Sequence, residues 1–386
     1  MKFKYPRVSD LINKAIKRVP FFISEYLFSG TGNDKVVHAN NDIFKNIFLI
    51  PKYLKGSLKP NIAQKFLGSE YGAPFGVAPM GSGGSIWPGA EIALAKMCAK
   101  NQIPYCLSSV ASLSLEDVSP YLGNQGWFQL YPPKDRSIRD NIIKRVRDSG
   151  YSVLVVTVDI PATSRRERVK KAGITIPPKI TLRTILQASK RPSWLIRTLI
   201  HGMPSFGTMT KYNFISQEKV SKNWNEMPRY VDWNYIEEIK ALWKGPIILK
   251  GIMDLDDALK ASEVVDAIYL SNHGGRQIDL VPSPLQLLPK IRKKLGNDYP
   301  IIIDSGYLSG QDIAKALVLG ADFVMLGRAF MIGMAALGKK GAEHVHHILS
   351  DELCNIMEQL CCKDINELKE EDAVISNNFF LEKLDK

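Results

Sequence analysis

Short, uninterrupted apolar runs recur along the chain from about residue 74: Phe75 to Met80, Pro104 to Ser108, Trp127 to Tyr131, Val153 to Val158, Pro246 to Leu249, Ala267 to Leu270, Pro300 to Ile303 and Phe323 to Leu326. Each is continuous rather than alternating, as expected of strands covered on both faces of a parallel sheet. Helical patterns follow most of them. Ala90 to Lys100 begins after Pro88-Gly89, and Ser114 to Val118 is short, with Ser114 as N-cap ahead of Glu116 and Asp117. Ser137 to Asp148 and Ser309 to Leu319 are longer. Eight strand–helix units predict an α/β fold, a closed (β/α)8 or TIM barrel. The rival, an open doubly wound sheet, lacks a Gly-x-Gly-x-x-Gly after its first strand.

Two stretches depart from this rhythm. In residues 1–73, Phe21 to Phe28 reads as an apolar helix stopped at Ser29-Gly30, and the segment is expected to be helical and to pack over a barrel face. Residues 162–230, between the fourth and fifth strands, are too long for an ordinary βα loop and read as a lid or docking element. The barrel is expected over 74–375, and 376–386 as a C-terminal tail without functional signal.

Charge changes the picture at one place. The formal net charge is +12, and from Arg165 to Ile200 ten Lys/Arg stand against a single acid, Glu167. With the rest nearly balanced, a broadly basic nucleic-acid surface is not expected. In the same stretch, about 165–203, Ile180, Leu182, Ile185, Leu186, Trp194, Leu195, Ile196, Leu199 and Ile200 accompany the cations. Basic residues among aliphatics suit an interfacial segment on anionic lipid; the bland alternative is a solvated lid that guides anions. The chain of 386 residues, 45% hydrophobic, suffices for a large core. Five cysteines without metal spacing read as reduced thiols of a cytosolic compartment. Met1 to Pro20 lacks a continuous apolar core, so no export is expected, and Arg328 interrupts the longest apolar candidate for a membrane span.

Barrels carry active sites at the C-terminal ends of their strands. Those ends are polar or glycine-rich on all eight: Pro79-Met80-Gly81, Ser108-Ser109, Gln129 with Tyr131, Thr157-Val158-Asp159, Lys250-Gly251, Ser271 to Arg276, Asp304-Ser305-Gly306 and Gly327-Arg328. Caps and turns explain any one of these but explain the full set poorly. The seventh and eighth ends suit a phosphate, because glycines let backbone amides approach an anion. In Ser271-Asn272-His273-Gly274-Gly275-Arg276-Gln277, His273 is a candidate general base and Arg276 a candidate bidentate carboxylate ligand.

These residues carry a resemblance. With Ala78 to Gly81, Trp127 to Tyr131, Thr157 to Asp159 and Leu249 to Gly251, the stretch Ser271 to Gln277 resembles the FMN-dependent α-hydroxy acid oxidases and dehydrogenases over about Tyr5 to Leu368. The resemblance implies FMN as cofactor. Pro79, Met80 and Gly81 would lie beside its ring, and Ser108, Gln129, Thr157, Lys250 and Ser271 would hold the ring edges. Asp304, Ser305, Gly306, Gly327 and Arg328 would hold the ribityl phosphate. Tyr26, Arg166 and Arg276 would bind the substrate carboxylate, Tyr131 would meet its hydroxyl, and His273 would be the base, raised in basicity by Asp159. Leu308 departs from the pattern, since the family usually places a phosphate-binding arginine there.

Pro192-Ser193-Trp194, His201-Gly202-Met203-Pro204 and Gly81 look most like the membrane-associated lactate and mandelate dehydrogenases. The expectation is therefore an (S)-2-hydroxy acid dehydrogenase, L-lactate favoured. It would pass electrons to a quinone, peripheral on the cytoplasmic face of the inner membrane, as a homotetramer by resemblance. Alternatives are an oxygen-using oxidase, a relative acting on an unusual substrate such as a modified peptide, and a non-enzymatic basic membrane-binding protein. No metal is expected.

Overall fold

The structure, a computed structural model, describes residues 4–56, 58–174, 181–212 and 231–381. Lys179, Ile180 and positions 213–230 of the expected excursion lie outside the described residues, as do the last positions of the tail.

The eight apolar runs are eight parallel strands: β1 Phe75–Val77, β2 Tyr105–Ser108, β3 Gly126–Leu130, β4 Val153–Thr157, β5 Ile247–Ile252, β6 Ala267–Leu270, β7 Ile301–Ile303 and β8 Phe323–Leu326. They close in chain order, with β8 pairing β1, into one barrel. Nearly every strand residue is buried, because helices cover the outside and side chains fill the inside. The expected helix starts hold. Gly89, left-handed at φ 82°, precedes Ala90–Lys100, and Ser114 and Asp117 form a reciprocal capping box before Leu115–Val118.

The N-terminal residues form α1 Ile12–Arg18, α2 Phe21–Phe28 and α3 Lys35–Asp42. They also supply two strand pairs that periodicity did not predict. Gln64–Phe66 and Ser69–Tyr71 form a hairpin whose Phe66 and Tyr71 join Trp127 and Phe323 in an aromatic cluster at the N-terminal ends of the strands. Trp127 Nε1 donates to Tyr71 Oη at 3.0 Å, so the hairpin plugs the barrel floor. Ile47–Leu49 pairs antiparallel with Ala373–Ile375, tying the two ends of the chain together. Just beyond, Phe379 is fully buried.

The excursion is helical where described: α4 Glu167–Ala172, α5 Leu182–Ser189 and α6 Pro192–His201. Among the described residues no helix is long and apolar enough to cross a membrane.

Candidate active site

Strand side chains alternate in direction, so residues two apart share a face. Inside this barrel the inward columns of β3 to β7 begin apolar and end polar. Trp127 leads to Gln129 and Tyr131, Val153 and Val155 to Thr157 and Asp159, Ile248 to Lys250, Tyr269 to Ser271 and His273, and Ile302 to Asp304. The polar tips converge on a cavity of about 1070 Å³. Its wall includes Tyr26, Pro79, Met80, Gly81, Gln129, Tyr131, Thr157, Arg166, Lys250, His273, Arg276, Asp304 to Leu308, Gly327 and Arg328. Ser108 and Ser271 lie one step behind. Ser108 Oγ donates to Gln129 Oε1 at 2.6 Å, Gln129 Nε2 donates to Thr157 Oγ1 at 2.9 Å, and Lys250 Nζ donates to Ser271 Oγ at 2.8 Å.

His273 is held from two sides. Its Nδ1 lies 3.0 and 3.1 Å from the two Asp159 carboxylate oxygens, and its Nε2 lies 3.1 Å from Tyr131 Oη. Burial lowers the imidazole pKa below its ordinary value, with the charges of Lys250 and Arg166 acting the same way, against the opposing pull of Asp159. Asp159 is pushed up by burial, but the His273 and Lys250 charges outweigh that and leave it below the usual carboxylate value. The pair is therefore a carboxylate and a neutral imidazole. Nδ1 donates its proton to Asp159, and the Nε2 lone pair faces the cavity and accepts from Tyr131. Burial raises the Tyr131 phenol pKa, so it stays a donor.

Three guanidinium groups border the same space. Arg166, Arg276 and Arg328 form no ion pair with a carboxylate among the described residues. Arg276 lies over the Tyr26 ring at 5.0 Å and donates to Leu27 O, and Tyr26 Oη donates to Gly81 O at 2.9 Å. Burial lowers Arg276 to about 10 and Arg328 to about 9, helped in the first case by Arg166 and in the second by Arg276. Like charges gathered at one partly buried site, with no carboxylate in ion-pair contact among the described residues, mark an anion site. Lys250, nearly fully buried, has Asp304 Oδ2 at 3.6 Å. Leu308 lines the cavity and brings no charge.

Sequence reasoning missed the parts that hold this rim. The buried amides of Asn40 and Asn272 exchange hydrogen bonds at 2.9 and 2.8 Å, joining α3 to the His273 loop. Asp279 accepts from the backbone of Asn33 and Val36, and Arg168 pairs with Glu25 and Asp34, which locks α4 onto the N-terminal segment. Ser82, Arg166, His273 and Ser305 all have left-handed φ, between 43° and 83°. Such strain in non-glycine residues persists only where the surroundings impose it, and it clusters at functional sites. No composition signal announces it. One grouping is corrected: Trp194, expected with the interfacial residues, is buried at 7% exposure and donates to Ser85 O and Ile86 O. Leu182, Leu199 and Ile200, at 73 to 74%, do face outward.

Comparison with known proteins returns one family model, "FMN-dependent dehydrogenase", matching residues 15–375. The (S)-mandelate dehydrogenase of Pseudomonas putida is 33% identical over 94% of this chain and 92% of its own. An L-lactate dehydrogenase of Vibrio cholerae is also 33% identical, over 95% of this chain and 98% of its own. Among solved structures, the monotopic membrane protein (S)-mandelate dehydrogenase superposes with a TM-score of 0.90 at 32% identity, covering 94% of this chain and 97% of that one. A mandelate oxidase superposes at 0.83 with 25% identity, covering 96% and 99%.

Proposed function

The chain belongs to the FMN-dependent dehydrogenase family, as an oxidoreductase acting on hydroxy acids, and from that premise we propose that it oxidises an (S)-2-hydroxy acid, L-lactate by preference, and delivers the electrons to a membrane quinone. One observation carries the reading of the site. A neutral imidazole oriented by a carboxylate, and the unpaired guanidinium groups of Arg166 and Arg276, border one cavity.

The residues present fit FMN. A buried Lys250 at the end of β5 offers a cation for the electron-rich edge of the ring. Arg328 lines the cavity beside Gly327 and forms no ion pair among the described residues, which leaves its charge for an anion such as the phosphate. Ser108, Gln129, Thr157, Lys250 and Ser271 would hold the ring edges, beside the backbone of Pro79, Met80 and Gly81. Asp304, Ser305, Gly306, Gly327 and Arg328 would hold the ribityl phosphate. When bound, FMN would supply the acceptor for the two electrons and for the one proton that His273 does not take.

Converting the alcohol to a ketone removes two protons and two electrons. Arg166 and Arg276 hold the carboxylate, so the alcohol carbon has one orientation. Tyr131 donates to the substrate hydroxyl, and His273 Nε2 takes a proton. Asp159 steadies the imidazolium that forms, and burial strengthens that attraction.

The resemblance to a monotopic membrane enzyme and the outward Leu182, Leu199 and Ile200 support a peripheral position on the cytoplasmic face of the inner membrane. A second substrate reading, mandelate, rests on the cavity wall. Val110 is small, and the apolar lining continues past Phe22, Ile185 and Met203.

Anaerobic mixing with L-lactate, (S)-mandelate and glycolate, followed by flavin absorbance, tests the proposal. Bleaching fastest with L-lactate supports it, fastest with mandelate moves the substrate, and none with any 2-hydroxy acid defeats it. Reoxidation by dioxygen faster than by a quinone analogue overturns the acceptor.

A further inference from the structure

A second cavity, of about 820 Å³, lies at the C-terminal end of α6 and shares the turn Met203-Pro204-Ser205 with the first as a common wall. Trp87, Glu91, Arg197, His201, Lys339 and Lys340 line it. Trp87 and Glu91 are 1% and 2% exposed, yet Trp87 Nε1 and Glu91 Oε2 have no hydrogen-bond partner. Buried polar atoms are rarely left so, and both residues stand in the wall of this cavity.

The charges say what kind. The guanidinium groups of Arg18 and Arg197 both lie over the Trp87 indole, 4.4 and 5.5 Å from its centroid. Burial and the charge of Arg197 depress the Arg18 pKa. Neither arginine forms an ion pair among the described residues, and neither do Lys339 and Lys340. The acids on the wall do not answer them. Glu343 is taken by Lys100 at 3.1 Å, and Glu91 Oε1 accepts the backbone N–H groups of Gly84 and Ser112. Cations gathered on one indole call for an anion, while Glu91 Oε2 calls for a donor on the same molecule.

The helix that supplies Arg197 and His201 also carries the exposed Ile196, Leu199 and Ile200. An anion seated at its end therefore has an apolar surface beside it for acyl chains. We propose that this cavity seats the headgroup of an anionic phospholipid. The phosphodiester lies against Arg197, Lys339 and Lys340, and a headgroup hydroxyl, as in phosphatidylglycerol, donates to Glu91 Oε2. The assignment to lipid rests on the membrane-peripheral reading above; the cavity itself does not.

The FMN-loaded full chain is titrated calorimetrically with short-chain, monomeric phosphatidylglycerol, with phosphatidylcholine and with inorganic phosphate. Flotation with phosphatidylglycerol-containing vesicles is measured in parallel. Expected are preferential binding of phosphatidylglycerol and an affinity loss of about tenfold or more in Arg197→Gln. Arg183→Gln, of equal charge change but away from the cavity, is expected to leave the soluble-lipid affinity intact. Hydroxy-acid turnover with a soluble acceptor and the melting temperature report the fold of each variant, and Lys339→Gln/Lys340→Gln provides a second probe if Arg197→Gln unfolds. Phosphate binding as tight as the lipid overturns the lipid assignment, and no saturable binding of any probe overturns the site. Soluble lipid binding without vesicle flotation upholds the cavity while sinking the membrane-peripheral reading.

Discussion

His273 Nδ1 stands 3.0 Å from Asp159 Oδ1 across 114 positions of chain, because β4 and β6 both deliver their inward column to the same rim. The contact fixes which ring nitrogen carries the proton. Replacing Asp159 by Asn keeps the shape and removes the charge that stabilises imidazolium. Asp159→Asn is expected to lower kcat about 10²- to 10⁴-fold, with KM little changed, in steady-state assays with an artificial acceptor. A loss below threefold would remove Asp159 from the mechanism.

Proton uptake by His273 requires the neutral ring. The buried imidazole sits below its ordinary 6.5, so kcat/KM is expected to be full above that value and to fall as pH drops through the lowered pKa. A pH profile of kcat/KM checks this limb; an acid inflection above 6.5 is incompatible with this geometry.

Arg276 combines a planar fork with stacking on Tyr26, 5.0 Å from its ring centroid. Lysine keeps the charge but neither the fork nor the stacking. Arg276→Lys is expected to raise KM about tenfold or more, since one charge-assisted contact is lost. Titration of the enzyme with the 2-oxo acid product reads the same change without turnover. Equal affinity in wild type and variant removes the arginine from carboxylate binding.

The outward aliphatics of α5 and α6 have nothing to lose in the folded chain. Leu182→Glu/Ile200→Glu is expected to leave the melting temperature within about 2 °C, as exposed substitutions do. The same variant is expected to release the protein from anionic vesicles in a sedimentation assay, with turnover on a soluble acceptor retained. Unchanged sedimentation means that another surface carries the contact.

Gly306 has φ 100°, and a Cβ there would sit 2.2 Å from Asn40 O. Gly306→Ala must displace α3 or the β7 loop, and it is expected to destabilise the protein by about 1–3 kcal/mol. Thermal unfolding of the FMN-free and FMN-loaded forms checks this. A larger fall in the loaded form points to the phosphate end of the site.

The barrel was legible because its cause is local. Strands buried on both faces need unbroken apolar runs, and β1 to β8 lie within a few residues of the eight runs. The polar strand ends were legible for the same reason, since an inward-facing Gln129 or Lys250 makes sense only where the barrel opens. The hairpin Gln64–Tyr71 and the pairing of Ile47–Leu49 with Ala373–Ile375 were not, because three-residue strands leave no periodicity. Trp194 was misplaced because helical spacing does not say which face meets the barrel.

By itself, the sequence determined which residue types each strand would bring to the barrel mouth. A residue's direction along a strand is set by its own backbone, whatever lies across the barrel. Only the tertiary structure decided that Asp159 holds the proton-bearing side of His273, that Asn40 clamps Asn272, and that three guanidinium groups share one cavity, none of them in an ion pair among the described residues. Those relations depend on closure of the sheet and on the left-handed turns at the rim, where long-range packing outweighs local conformational preference.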